Sequence, residues 1–162
     1  MSENNELSSK LLLDPIHFLS LGFGAGFTPK LPGTAGTLVG VLIYLPVQSL
    51  QWPYYLGLVA VLFLSGIWLC GRTADALGLP DHPAIVWDEI IGYLLSMTLA
   101  PRGWGWIVLG FCLFRLFDIW KPWPIQWLDR EVKGGAGIML DDALAGLFSA
   151  MLIQIIAYLL KS

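Results

Sequence analysis

Long apolar runs alternate with short polar breaks along this chain, at spacings that suit membrane helices. Residues 31–71 carry no charge. They divide at Gln51-Trp52-Pro53, which predicts a helical hairpin over about 36–51 and 54–71. Each half lies near the lower limit of about 17 residues for a span. Arg72 and Asp75 close the second half, and a polar stretch follows with turn residues at Gly78, Pro80 and Pro83. Asp88-Glu89 then open an apolar run that ends at Pro101. The next run, about 104–117, ends in Arg115 and Asp118. Both runs are short for a full crossing, so part of each is expected at the interface.

Pro122 and Pro124 exclude a continuous helix after Lys121, so a long connection is expected there. Trp123 and Trp127 suit a loop lying on lipid headgroups. Asp141-Asp142 are expected to start the last apolar run, about 143–160. The opening residues, MSENNELSSKLLLDP, are acidic and polar with three leucines in a row. They read as a short cytoplasmic tail over 1–14 rather than a signal peptide. Residues 15–162 then form a single membrane-embedded domain. The expected fold is all-α: an integral membrane helical bundle of about five spanning or partly spanning helices.

Charge orients this bundle. If each run crosses once, Lys30, Arg72 and the group Lys121, Arg130 and Lys133 fall on one side. Gln51-Trp52-Pro53, Arg102 and Lys161 fall on the other. The side richer in Lys and Arg is cytoplasmic. Asp88, Glu89, Asp118, Asp141 and Asp142 then all map to the cytoplasmic ends of their helices, as does Arg115.

Composition agrees with the pattern. The chain has 162 residues, 56% hydrophobic and 13% charged, where soluble domains carry about 25% charged residues. The formal net charge is −3, with no basic stripe, which speaks against a nucleic-acid partner. Cys70 and Cys112 lie in apolar runs and form no CxxC pair or zinc pattern, so both are expected as buried apolar residues. Neither begins a C-x5-R phosphatase loop.

The five acids carry the candidate chemistry. Charge near hydrocarbon costs a few kcal/mol per group, roughly 2.5–3.5 on insertion scales. Converging carboxylates repel each other until a cation relieves them. Hard oxygen ligands suit Mg²⁺, which leaves room for waters and phosphate oxygens. Asp88, Glu89, Asp118, Asp141 and Asp142 are therefore candidate metal ligands and catalytic groups. Acids in a helix's first turn also favour the helix dipole without any metal, and Asp88-Glu89 fit that reading too. Arg115 and Asp118 share a helical face, either as an intrahelical ion pair or with Arg115 on a phosphate. Lys121, about one further turn along roughly the same face, is a second phosphate candidate, or a membrane-edge lysine. Gly33, Thr34, Gly36 and Thr37 stand before an uncharged helix, where free N–H groups favour an anion. The same small residues suit close helix packing. His82 is a candidate proton donor to a leaving alkoxide, although a lone loop histidine is more often simply solvated. Gly134, Gly135 and Gly137 either admit a ligand to the backbone or form a flexible loop.

These segments together resemble the bacterial phosphatidylglycerophosphatase A family. The resemblance is carried by Gly22–Gly26 with Pro32–Thr37, by Asp81–Glu89 with Gly92, by Phe114–Ile125, and by Gly134–Asp142 with Gly146. It covers about residues 15–160. It implies Mg²⁺-dependent hydrolysis of phosphatidylglycerophosphate to phosphatidylglycerol and phosphate, at the cytoplasmic face of the bacterial inner membrane. It also implies roles for the same five acids, with Arg115 and Lys121 as their basic partners. Direct attack by water is expected, because the D-x-D-x-T/V arrangement of one aspartate-nucleophile class is absent. An aspartyl-phosphate intermediate is the alternative. A phosphoalcohol transferase is disfavoured by the lack of its D-G-x2-A-R signature. A transporter or channel would spread its acids through the membrane depth, and here they gather on one face.

Overall fold

The computed structural model describes residues 9–160, and all regular structure among them is helical. The first eight residues of the expected tail, and Lys161 from the charge count, lie outside the described residues. A 3₁₀ turn, Ser9–Leu13, leads to Asp14, whose carboxylate accepts a hydrogen bond from the Ile16 N–H at 2.8 Å. That cap, with Pro15 in the first turn, starts the short helix α1, Pro15–Ser20. A second 3₁₀ segment, Gly22–Phe27, connects it to α2, Pro32–Val47. Helix α3 is Trp52–Leu77 and stops at Gly78, whose left-handed backbone (φ 67°) sends its N–H back to Ala74 and Asp75. Helix α4 is Trp87–Ser96, α5 is Trp104–Trp120, α6 is Ile125–Glu131 and α7 is Gly134–Leu159.

Helix α4 is the centre of the bundle. It packs most extensively on α7, then on α2 and α3. Eight of its ten residues are buried, Asp88 among them. Ten residues rise about 15 Å, half the hydrocarbon thickness, so α4 by itself does not cross a bilayer. Small residues bring the helices together: a Cβ at Gly146 of α7 would run into the Gly92 carbonyl of α4, and one at Gly36 of α2 would press on Val86. Below the acids, Tyr44, Tyr55 and Tyr93 meet edge-to-face, with ring centroids 6.3 and 6.2 Å apart. Tyr55 donates to the Leu94 carbonyl at 2.6 Å, satisfying one of the last carbonyls of α4. Removing that hydroxyl in Tyr55→Phe is expected to cost about 1 kcal/mol, read as a lower melting temperature in detergent. An unchanged melt would mean that another donor replaces it.

Helices α3 and α7 are each 26 residues, long and apolar enough to cross a membrane. Their outer faces, like that of α2, expose large apolar side chains at helical spacing: Leu38 and Leu42, Val61 and Leu64, Met151 and Ile155.

Several expectations change. The connection after Lys121 contains a helix, α6, because Pro124 begins a new turn instead of only ending the old one. Helix α7 begins at Gly134, so Asp141 and Asp142 lie two turns inside it and not at its start. Gly134, Gly135 and Gly137 belong to its first turn, and Gly135 is where α7 lies directly on the α3 backbone. Likewise, Pro32–Thr37 is the beginning of α2 rather than a turn before it. Cys70 is buried as expected, whereas Cys112 is exposed on the outer face of α5.

Candidate active site

Three helices deliver the acids to one end of the bundle. Asp88 and Glu89 come from the first turn of α4, Asp118 from the last turn of α5, and Asp141 and Asp142 from α7. All five line a single cleft of about 430 Å³, together with Arg115 and Lys121. The α7 pair is positioned by length: two helical turns from the glycine contact on α3 bring residues 141–142 level with the start of α4.

The acids divide into two groups. One carboxylate oxygen from each of Asp88, Glu89 and Asp142 lies within 4.8 Å of the others. Asp118 and Asp141 are held by cations instead. Arg115 is bonded to Asp118 and stands 4.0 Å from Glu89. Lys121 donates to Asp141 at 2.6 Å and to Asp129 at 2.9 Å. Lys121 does not continue the face of α5; it caps the helix in a left-handed conformation (φ 46°), uncommon for a non-glycine residue. Burial opposes its charge, but the bonds and charges of Asp141 and Asp129 outweigh this and raise its pKa above the ordinary lysine value.

Among the described residues, four buried carboxylate oxygens have no hydrogen-bond partner: Asp88 Oδ1, Glu89 Oε2, Asp141 Oδ1 and Asp142 Oδ2. The Arg115 Nε–H is also buried without one. Buried polar atoms are nearly always satisfied, so five orphans around one cleft point to a ligand with both positive and negative parts. Oxygen donors within reach of one another suit a hard divalent cation, and the cluster therefore fits Mg²⁺.

The glycine-rich start of α2 enters the site at one point. Gly33 lines the cleft, and a Cβ there would stand 2.9 Å from Arg115 Nη1, so the bare backbone makes room for Arg115 and Glu89. Thr34, Gly36 and Thr37 are not part of the lining. Thr37 is fully buried and donates its hydroxyl to the Gly33 carbonyl at 2.8 Å, while Gly36 packs on Val86. His82 also stands off the cleft wall, with its Nδ1 accepting from the Ala84 N–H at 3.1 Å.

Three residues join the site that sequence reasoning does not place there: Lys30 and Asp81 in the lining, and Asp129 behind Lys121. Lys30 directly precedes Leu31-Pro32, and Asp81 opens the segment that ends in Glu89, so proximity to the site motifs is the available signal. Asp129 has none, because its approach depends on α6 folding back on α7.

Known proteins resemble this chain along most of its length. The family model described as Phosphatidylglycerophosphatase A matches residues 18–157. A phosphatidylglycerophosphatase A of Escherichia coli K12 is 43% identical over 146 residues, 90% of this chain and 85% of its own. That of Haemophilus influenzae is 41% identical over 160 residues, 98% of both chains. A Bacteroides thetaiotaomicron protein named as a candidate phosphatidylinositol-3-phosphatase is 37% identical over 146 residues, 85% of this chain and 90% of its own. No solved structure matches the chain significantly. The family match over most of the chain and two same-named relatives above 40% identity lead to one assignment: the chain belongs to the phosphatidylglycerophosphatase A family, a family of phosphatases.

Proposed function

We propose that the protein hydrolyses phosphatidylglycerophosphate to phosphatidylglycerol and phosphate, using Mg²⁺, at the cytoplasmic face of the bacterial inner membrane. The observation that carries this reading is the set of unpartnered buried carboxylate oxygens in a cleft that also holds Arg115 and Lys121. The names of the relatives supply the lipid and the reaction. The apolar outer faces and the lengths of α3 and α7 support the membrane. The excess of Lys and Arg on the side of the acids supports the cytoplasmic orientation.

Asp88, Glu89 and Asp142 would hold the metal, with Asp118 and Asp141 behind them. Once bound, Mg²⁺ would draw charge from the phosphoryl oxygens and make a bound water more acidic. The chain does the positioning. The Arg115 guanidinium lines the cleft, where it would face a phosphate oxygen. Asp118 fixes the Arg115 fork, and Gly33 leaves the space into which it projects. Lys121, tied between Asp141 and Asp129, contributes fixed positive charge beside the departing phosphate. Catalysis of this kind is mostly orientation and charge stabilisation.

The test is phosphate release from phosphatidylglycerophosphate by the detergent-purified protein. Release is expected with Mg²⁺, to fall to background in EDTA, and to return when Mg²⁺ is restored. Release that persists in EDTA would remove the metal from the reading. No release from a folded, lipid-supplemented sample would overturn the phosphatase reading and turn attention to ion flux. Phosphatidic acid and phosphatidylinositol 3-phosphate serve as comparison lipids.

A further inference from the structure

The cleft contains three cations, and they are not equivalent. Arg115 and Lys121 are both bound to carboxylates. Lys30 lines the same cleft and makes no ion pair among the described residues. It sits at the rim, in the exposed link that leads into α2. Its neighbours on that rim are apolar: Leu31 is 61% exposed, and Ile119, from the last turn of α5, is 71% exposed. The cleft therefore runs from buried acids to an apolar edge, with one free ammonium at the transition.

The proposed substrate has the same order along its length. Its phosphomonoester is at one end, its acyl chains are at the other, and a phosphodiester lies between them. With the phosphomonoester at the acids and the chains leaving past Leu31 and Ile119, the phosphodiester falls at the rim. We propose that Lys30 recognises this second phosphate and is thereby a specificity-determining residue, favouring phosphatidylglycerophosphate over lipids that carry a single phosphate. The inference rests on the phosphatidylglycerophosphate reading above. A lysine suits this role, because its compact charge on a four-carbon stem follows a mobile headgroup while the stem lies along apolar surface.

The products separate the two phosphate positions. Phosphatidylglycerol carries only the phosphodiester, and inorganic phosphate resembles only the released group. In mixed micelles, Lys30→Met is expected to raise the inhibition constant for phosphatidylglycerol about tenfold, and KM for the substrate by a similar factor. The inhibition constant for inorganic phosphate and kcat should stay near wild type. Lys30→Arg, which keeps the charge, should recover most of the loss. Unchanged inhibition by phosphatidylglycerol would overturn the assignment. An equal loss of both inhibitors would also overturn it, reducing Lys30 to general surface charge. An inactive wild-type protein would instead sink the parent reading, an outcome visible before any variant is made.

Discussion

Asp142→Asn is expected to leave the bundle folded and to lower phosphate release by at least about 100-fold, a loss that even outer-shell changes at metal sites can reach. Asp142 is 3% exposed, and its Oδ2 has no partner among the described residues. It also lies within reach of Asp88 and Glu89, so three carboxylates converge on one point. Asparagine has nearly the same shape and removes one charge from that group. Without metal, the variant should therefore melt at the same temperature as the parent or higher, because repulsion is relieved. The pairing of lost turnover with unimpaired stability is the signature of a ligand rather than a structural acid. Asp88→Asn, on the facing helix, should behave the same way. Normal turnover by either folded variant would remove that residue from the site.

Gly135→Ala is expected to have the largest effect on stability. Position 135 is in the first turn of α7, where the helix lies on the backbone of α3. A methyl group there would run into the Ile67 carbonyl oxygen and stand 2.8 Å from the Gly71 N. Backbone atoms inside a helix cannot rotate away as a side chain can, so α7 must shift as a body. Overpacking of this kind costs about 3 kcal/mol, seen as a lower melting temperature. Activity should fall too, since Asp141 and Asp142 follow two turns along the displaced helix. Gly57→Ala is the control. Nothing lies within 4 Å of a Cβ there, inside α3, and the change should be neutral or gain about 0.5–1 kcal/mol from helix propensity. A Gly135→Ala protein as stable as its parent would mean that the α3–α7 contact is looser than described.

The contrast between these glycines also explains what could be read from the sequence. The apolar runs located α2, α3, α4, α5 and α7, although only α3 and α7 are long enough to cross a membrane, and the cost of charge near hydrocarbon singled out the five acids that the fold gathers in one cleft. What escaped was helix beginnings. Gly134–Gly137 and Pro32–Thr37 have the composition of loops, yet their glycines serve close approach inside helices: the α3 backbone at Gly135, Val86 at Gly36, and the Glu89 and Arg115 side chains at Gly33. No single-chain periodicity carries that information. The same blindness placed Asp141–Asp142 at a helix start, and left Thr37 as a phosphate candidate before a helix although it is the sixth residue of α2 and lies off the cleft wall. Lys121 was assigned to a helix face because its left-handed cap, which turns it toward Asp141 and Asp129, is set by α6 and α7.

The lengths of α3 and α7 have a consequence for the lipid. Each rises about 39 Å, against about 30 Å of hydrocarbon. In the proposed setting, with the surplus at the start of α7, Asp141 and Asp142, about 10 Å along the helix, lie at the edge of the hydrocarbon, just beneath the headgroups. Substrate then reaches the site by sliding within its own leaflet. An enzyme with its acids farther out would have to pull two acyl chains from the bilayer, at about 0.8 kcal/mol for each CH₂ exposed to water. On the proposed reading that extraction work is avoided, and the concentration that sets the turnover rate is the mole fraction of substrate in the membrane plane, not its amount in the surrounding water.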